Sequence, residues 1–147
     1  MNNMVLVILF SPDMNKVLMC FHAKQEMWNY IGGHIEAGES GMSACYREML
    51  EETGIQRSMV DLKFVRDENV TAACYDPYRL YIATGVLKGS AELKPEKNEL
   101  KWIDINNVEL FGNDSFGMGN CLLFLREAMC VLNRKDLLEQ TAVYAFQ

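Results

Sequence analysis

Apolar and polar positions follow two different periods along the chain, and each period predicts elements. Met4 to Phe10 and Val17 to Phe21 are apolar runs that read as β-strands, separated by a turn at Ser11-Pro12-Asp13. A Gly-rich segment follows, from Gly32-Gly33 through Gly38 and Gly41. From Met42 to Thr53 the residues Met42, Cys45, Tyr46, Met49 and Leu50 fall at helical spacing. Gly54 stands where a left-handed glycine would stop that helix. Strand-like runs return near Leu62 to Val65, Thr71 to Tyr75, Leu80 to Leu87 and Lys101 to Ile105. A second helix is expected from about Asn120 to Leu132, and the tail from Leu137 to Phe146 fits helix and strand equally. Strand-rich, helix, strand-rich, helix is the order of an α+β fold with a mixed β-sheet between helices, expected here as a single domain over 1–147.

Composition sharpens this picture. Half of the 147 residues are apolar, enough for a real core and too many for a disordered chain. The five cysteines, Cys20, Cys45, Cys74, Cys121 and Cys130, are odd in number and form no Cys-x-x-Cys pair. That argues against a disulfide framework or structural zinc, and for small buried residues in a reducing cytosol. The run from Met4 is too short to span a membrane and has no basic segment before it. The expectation is a soluble, cytoplasmic protein that engages no membrane. With 20 acidic against 14 basic residues the formal net charge is -6. Nucleic-acid backbone is therefore a poor partner, because gripping it takes clustered Lys and Arg. A nucleotide ligand remains open, since metal ions can supply the positive charge.

The acidic excess is focused. Between Gly33 and Ile55 stand five glutamates and one arginine. Three of them, Glu48, Glu51 and Glu52, lie near the C-terminal end of the first helix. At about 100° per residue, Glu48 and Glu52 fall within about 40° of each other and Glu51 about 60° to the other side, so all three share the polar face. The helix dipole is negative there, and each acid costs roughly 0.3–1 kcal/mol where a lysine would gain it. The like-charge pair Glu48 and Glu52 adds a few tenths more, and Arg47, four residues before Glu51, offsets part of it. Crowded carboxylates are what a hard divalent cation such as Mg²⁺ requires.

The spacing around this helix is specific. Gly33, five residues, Glu39, seven residues, Arg47-Glu48-Met49, one residue, Glu51-Glu52, one residue, Gly54-Ile55 is the complete Nudix signature, with nine fixed positions filled across 23 residues. The chain therefore resembles the Nudix hydrolases, MutT-like in pattern. The resemblance implies the α/β/α sandwich of that family and hydrolysis of a nucleoside diphosphate linked to another moiety. It also implies two or more Mg²⁺ or Mn²⁺ ions as cofactors, bridging to phosphate oxygens. By the family pattern Glu48 and Glu52 are metal ligands with Glu51 beside them, and the Gly32 carbonyl is a further candidate. Arg47 orients the glutamates and Glu39 rather than touching substrate. A later-loop glutamate often joins the site. Glu99, three residues before Trp102, stands where that residue usually lies, with Glu96 in reserve. Gly32-Gly33 lets the backbone approach metal and phosphate closely. Ile31 replaces the usual proline and His34 a frequent Lys or Arg, which leaves Lys24 and His22 as candidates for a basic residue near the phosphates. Homodimers are common in this family.

Two stretches outside the signature bear on substrate. Trp28-Asn29-Tyr30-Ile31-Gly32-Gly33 and Phe111-Gly112-Asn113-Asp114-Ser115-Phe116 resemble runs in the oxidised-purine nucleoside triphosphatases. Carried over by position, Asn29, Phe111, Asn113 and Asp114 become a base pocket, with amide and acid on the purine edge and an aromatic for stacking. Phe111 replaces a tryptophan and Asn113 an aspartate, which leaves base preference open. The expected reaction is cleavage of a purine nucleoside triphosphate, 8-oxo-dGTP among them, to monophosphate and pyrophosphate. ADP-ribose and nucleotide sugars are the alternative substrates, but those subfamilies often carry a proline after the signature and none occurs between Ile55 and Asp76. A non-catalytic nucleotide sensor would usually lack a signature glutamate, and all are present.

Overall fold

The computed structural model describes residues 2–23, 26–70, 77–108 and 120–145. A seven-stranded sheet is built from β1 (Asn2–Phe10), β2 (Lys16–His22), β3 (Met27–Asn29), β4 (Ile31–His34), β5 (Lys63–Val70), β6 (Tyr78–Val86) and β7 (Leu100–Asp104). Among the described residues the α-helices are α1 (Gly41–Thr53), α2 (Asn120–Val131) and α3 (Leu138–Ala145).

β1 organises the sheet. It runs parallel to β6 along its whole length, from Asn2 opposite Tyr78 to Phe10 opposite Val86. Its N-terminal half pairs antiparallel with β4, Met4 opposite His34 through Val7 opposite Ile31. Its end meets β2, which carries β3 on one edge and β7 on the other. The sheet is therefore mixed, as expected. Because helices cover both faces of β1, alternate side chains feed two separate cores. Leu6, Ile8 and Phe10 pack with Phe124, Leu125, Ala128 and Met129 of α2. Val5, Val7 and Leu9 pack with Ala44, Cys45 and Met49 of α1. Burial on both faces is the reason β1 reads as an unbroken apolar run.

The elements differ from the sequence expectation where side chains carry little periodicity. The segment expected only as Gly-rich holds β3 and β4, which are short and exist through backbone pairing to β2 and β1. The run Leu62 to Val65 is the start of the longer strand β5, whose second half is polar. That polar half is held by ion pairs, Arg66 to Glu127 of α2 at 2.9 Å and Asp67 to Arg79 of β6 at 2.7 Å. The ambiguous tail is the helix α3, tied to α2 by Arg126, which donates to the Leu138 carbonyl at 2.9 Å and to Thr141 Oγ1 at 2.8 Å. Cys20, Cys45 and Cys121 are buried, but Cys130 is exposed on the outer side of α2 rather than in the core. Cys74 and the strand expected over Thr71 to Tyr75 lie outside the described residues. Among the described residues no helix is long and apolar enough to cross a membrane.

Candidate active site

Helix α1 is defined at both ends by local chemistry. The Ser40 side chain caps it by accepting from the Ser43 N–H at 3.1 Å. Gly54 stops it with φ 78°, a left-handed conformation that costs a side chain-bearing residue roughly 1 kcal/mol or more. Its N–H returns to the Leu50 carbonyl at 2.9 Å. Burial of Ala44, Cys45 and Met49 against the sheet fixes the rotation of the helix. The acidic side chains are thereby turned toward β4.

Arg47 holds this face together from behind. Its Nε donates to Glu39 Oε2 at 2.8 Å, and its Nη2 donates to Glu39 Oε1 at 2.9 Å and to the His34 carbonyl at 2.8 Å. Its Nη1 donates to Glu48 Oε1 at 3.0 Å and to Glu51 Oε2 at 3.1 Å. The planar fork thus binds the Gly-rich loop to α1 and uses the guanidinium up in doing so. Glu39 also accepts from the Glu36 N–H at 3.1 Å, and the Arg47 hydrogen bonds hold its carboxyl below the usual range.

The glutamates divide by environment. Glu52 Oε2 accepts from the Gly32 N–H at 3.2 Å. Burial, then the neighbouring Glu48 charge, push the Glu52 carboxyl up to about 8, against the lowering effect of that N–H. Glu48 is raised too, by burial, with Arg47 opposing. Glu51 is half-exposed, at 50%. Gly33 lies directly under Glu48, and a Cβ there would run into the Glu48 carboxylate. The glycine is needed for close approach, whereas at Gly32 a Cβ would meet backbone, the Val5 carbonyl oxygen at 2.5 Å.

A second segment closes the site. The Lys94 N–H donates to the Thr53 carbonyl at 2.8 Å, and the Phe21 N–H donates to the Glu99 carbonyl at 2.9 Å. The loop between is therefore fastened at one end to the C-terminus of α1 and at the other to β2. Glu96, Lys97 and Asn98 from this loop line a cavity of about 210 Å³ with Glu48, Glu51 and Glu52, and Cys20 of β2 completes its lining. Asn98 hydrogen-bonds the Cys20 sulfur, and burial pushes that thiol up to about 12, so it stays protonated.

The residues singled out by sequence fall into three groups. Arg47, Glu48, Glu51, Glu52, Glu39, Gly32 and Gly33 are brought together as described, with Gly54 ending the helix that carries the acids. Glu99 is not among the residues lining the cavity, whereas Glu96 is. Lys24, Phe111, Asn113 and Asp114 lie outside the described residues. Asn29 is buried, pairs opposite Cys20 in the β2–β3 ladder, and accepts from the Tyr30 N–H at 2.8 Å. Directly opposed residues share a face, so Asn29 lies on the Cys20 side of the sheet. Trp28 instead packs at a tilt against Phe21 on the other face, ring centroids 5.4 Å apart and planes 52° apart. Burial pushes the His22 imidazole below its usual range, against the Tyr30 carbonyl oxygen 3.4 Å from its Nε2. Cys20, Lys97 and Asn98 were not expected at the site. The two-residue period of β2 could have placed Cys20 beside Leu18 on the α1 face, but no local pattern marks Lys97 or Asn98.

Comparison with known proteins bears on the family and the fold. The mRNA-decapping enzyme subunit 2 of Saccharomyces cerevisiae is 21% identical over 102 residues, 68% of this chain and 10% of that protein. The nucleoside diphosphate-linked moiety X motif 6 protein of Mus musculus is 25% identical over 104 residues, 69% of this chain and 31% of that protein. The chain thus spans about a tenth to a third of the length of these curated relatives. A solved Ap4A hydrolase of C. elegans superposes with a TM-score of 0.76 at 14% identity, covering 90% of this chain and 98% of that one. At that identity the likeness bears on the fold alone. The family model described as the NUDIX domain matches residues 2–122, which takes in the sheet and α1 with its acidic face. By that match the chain belongs to the NUDIX family.

Proposed function

We propose that this chain is a divalent-metal-dependent hydrolase of a phosphoanhydride bond in a small nucleoside polyphosphate. The observation that carries this reading is the cavity lined by Glu48, Glu51 and Glu52 of α1 and by Glu96, with the Arg47 guanidinium spent behind it. The donor set suits Mg²⁺ or Mn²⁺, being hard carboxylate oxygens. Burial and the neighbouring Glu48 charge push the Glu52 carboxyl up to about 8, and a cation beside it would favour its charged form. As the side chains stand, no three acidic, histidine or cysteine groups among the described residues close on one point. Glu48 is held by Arg47 through Oε1 and Glu52 by the Gly32 N–H through Oε2, so the second oxygen of each carboxylate remains for an ion.

Glu48 and Glu52 would hold the ions, with Glu51 beside them and the Gly32 carbonyl as a further ligand. When bound, such ions offset phosphate charge and make a water molecule more acidic. Of the two loop carboxylates Glu96 lines the cavity and Glu99 does not, which supports Glu96 as the group that would take the proton of the attacking water. The water oxygen bonds to phosphorus as the bridging P–O bond breaks, and the phosphate or pyrophosphate beyond that bond leaves in line. The finer reading of the substrate is a purine nucleoside triphosphate, 8-oxo-dGTP included, cleaved to monophosphate and pyrophosphate. It is supported by the Trp28-Asn29 and Phe111 to Phe116 stretches.

A product screen with Mg²⁺ over 8-oxo-dGTP, normal dNTPs, ADP-ribose, nucleotide sugars and dinucleoside polyphosphates tests both levels. Pyrophosphate release from purine triphosphates is expected, abolished by EDTA and restored by Mg²⁺. No hydrolysis of any member with Mg²⁺ or Mn²⁺ overturns the enzymatic reading. Preference for ADP-ribose over every triphosphate overturns the purine reading. The glycines supply a second check. Gly33→Ala meets only the movable end of Glu48, so kcat/KM is expected to fall roughly 10–100-fold with the fold intact. Gly32→Ala meets the β1 backbone and should lower Tm well beyond Gly33→Ala in calorimetry.

A further inference from the structure

A cavity walled by carboxylates must still receive a polyphosphate, and metal ions are one source of positive charge for it. Arg47 is not another, because its donors are taken by Glu39, Glu48, Glu51 and the His34 carbonyl. Among the described residues lining the cavity, Lys97 is the one cation. It is exposed, and no described residue pairs with its ammonium group. Two nearby lysines do not line the cavity: Lys94 lays its side chain against Gly54, and the Lys101 ammonium stands 6.0 Å from the centre of the Trp28 ring.

The position of Lys97 is set by the fold. Its loop is anchored on the Thr53 carbonyl through Lys94 and on the Phe21 N–H through Glu99. The neighbouring Asn98 is held by the Cys20 sulfur, and Leu100, two residues further on, pairs with Cys20 in the sheet. The backbone around Lys97 is thus fastened on three sides while its side chain is free. A flexible ammonium at the mouth of an acidic cavity suits a terminal phosphate as a point charge. It does not suit the metal ions, which it would repel.

Resting on the function proposed above, we infer that Lys97 is a substrate-binding residue for the phosphate chain, contacting the phosphate group that leaves. Because the contact is to the polyphosphate and not to the base, it acts on triphosphates and spares monophosphates.

The test is binding of a non-hydrolysable α,β-methylene nucleoside triphosphate and of the matching monophosphate, with Mg²⁺, to wild type, Lys97→Met and Lys97→Arg. For Lys97→Met the triphosphate Kd is expected to rise about tenfold with the monophosphate Kd unchanged, and for Lys97→Arg it should stay near wild type. Mg²⁺ affinity without nucleotide should rise or hold in Lys97→Met. An unchanged triphosphate Kd in Lys97→Met overturns the assignment, as does an equal loss for mono- and triphosphate. Both results are independent of whether the wild-type protein hydrolyses any substrate. Failure of this inference is therefore separable from failure of the catalytic reading.

Discussion

Glu52→Gln is expected to lower turnover by about 10³-fold or more and, at pH 8 without metal, to raise the melting temperature. Both effects come from one carboxylate. It is the most perturbed acid of the cluster, pushed up from 4.5 to about 8 by burial and by Glu48. A carboxyl raised by folding is stabilising while protonated. That contribution is complete below about pH 4.5 and is lost as pH rises through about 8. Metal-free wild type should therefore lose stability between these values, on the order of a few kcal/mol. The raised Glu48 contributes with the same sign. In the Gln variant the slope shrinks, and Tm at pH 8 should exceed wild type by about 3–8 °C. Saturating Mg²⁺ should remove the slope from wild type and leave the variant unmoved. Calorimetry across pH with EDTA or Mg²⁺, beside initial rates, checks all of this. Near-wild-type turnover in Glu52→Gln would falsify the metal-site reading. A variant less stable than wild type at pH 8 would show that Glu52 is structural.

The second large effect is expected at Arg47. Lysine keeps the charge but not the fork that joins Glu39 through two nitrogens, the His34 carbonyl, Glu48 and Glu51. Arg47→Lys should cost roughly 10–100-fold in kcat/KM, with more Mg²⁺ needed for half-maximal rate, because the acids lose their orientation. Glu39→Gln should do part of the same, weakening the loop anchor without touching the cavity. Titrating rate against Mg²⁺ separates this from loss of substrate binding, which would raise KM for the nucleotide at saturating metal. A wild-type Mg²⁺ requirement in Arg47→Lys would remove the orienting role.

The pattern that predicted α1 was legible because its information is local. The apolar stripe, Gly54 and the signature spacing all lie between Gly33 and Ile55, and they specify helix, stop and acidic face without reference to distant residues. β1 and β2 were legible for a similar reason, as continuous apolar runs. β3 and β4 were not read as strands, because Met27–Asn29 and Ile31–His34 are too short for periodicity and are held by partners elsewhere in the chain. The polar half of β5 looks like loop until Arg66 and Asp67 meet Glu127 and Arg79.

The site divides along the same line. Its chemistry, three glutamates and an arginine at helical spacing beside two glycines, was determined by the sequence itself. Which residues of the closing loop line it was decided only in three dimensions. Glu99 was favoured by its distance from Trp102 with Glu96 in reserve, and of the two it is Glu96 that lines the cavity, with Lys97 beside it. Hydrogen bonds from Lys94 to Thr53 and from Phe21 to Glu99 join residues about 41 and 78 positions apart. Backbone donors and acceptors are alike at every residue but proline, so no side-chain pattern along the chain encodes such a pairing, and the fold alone selects it.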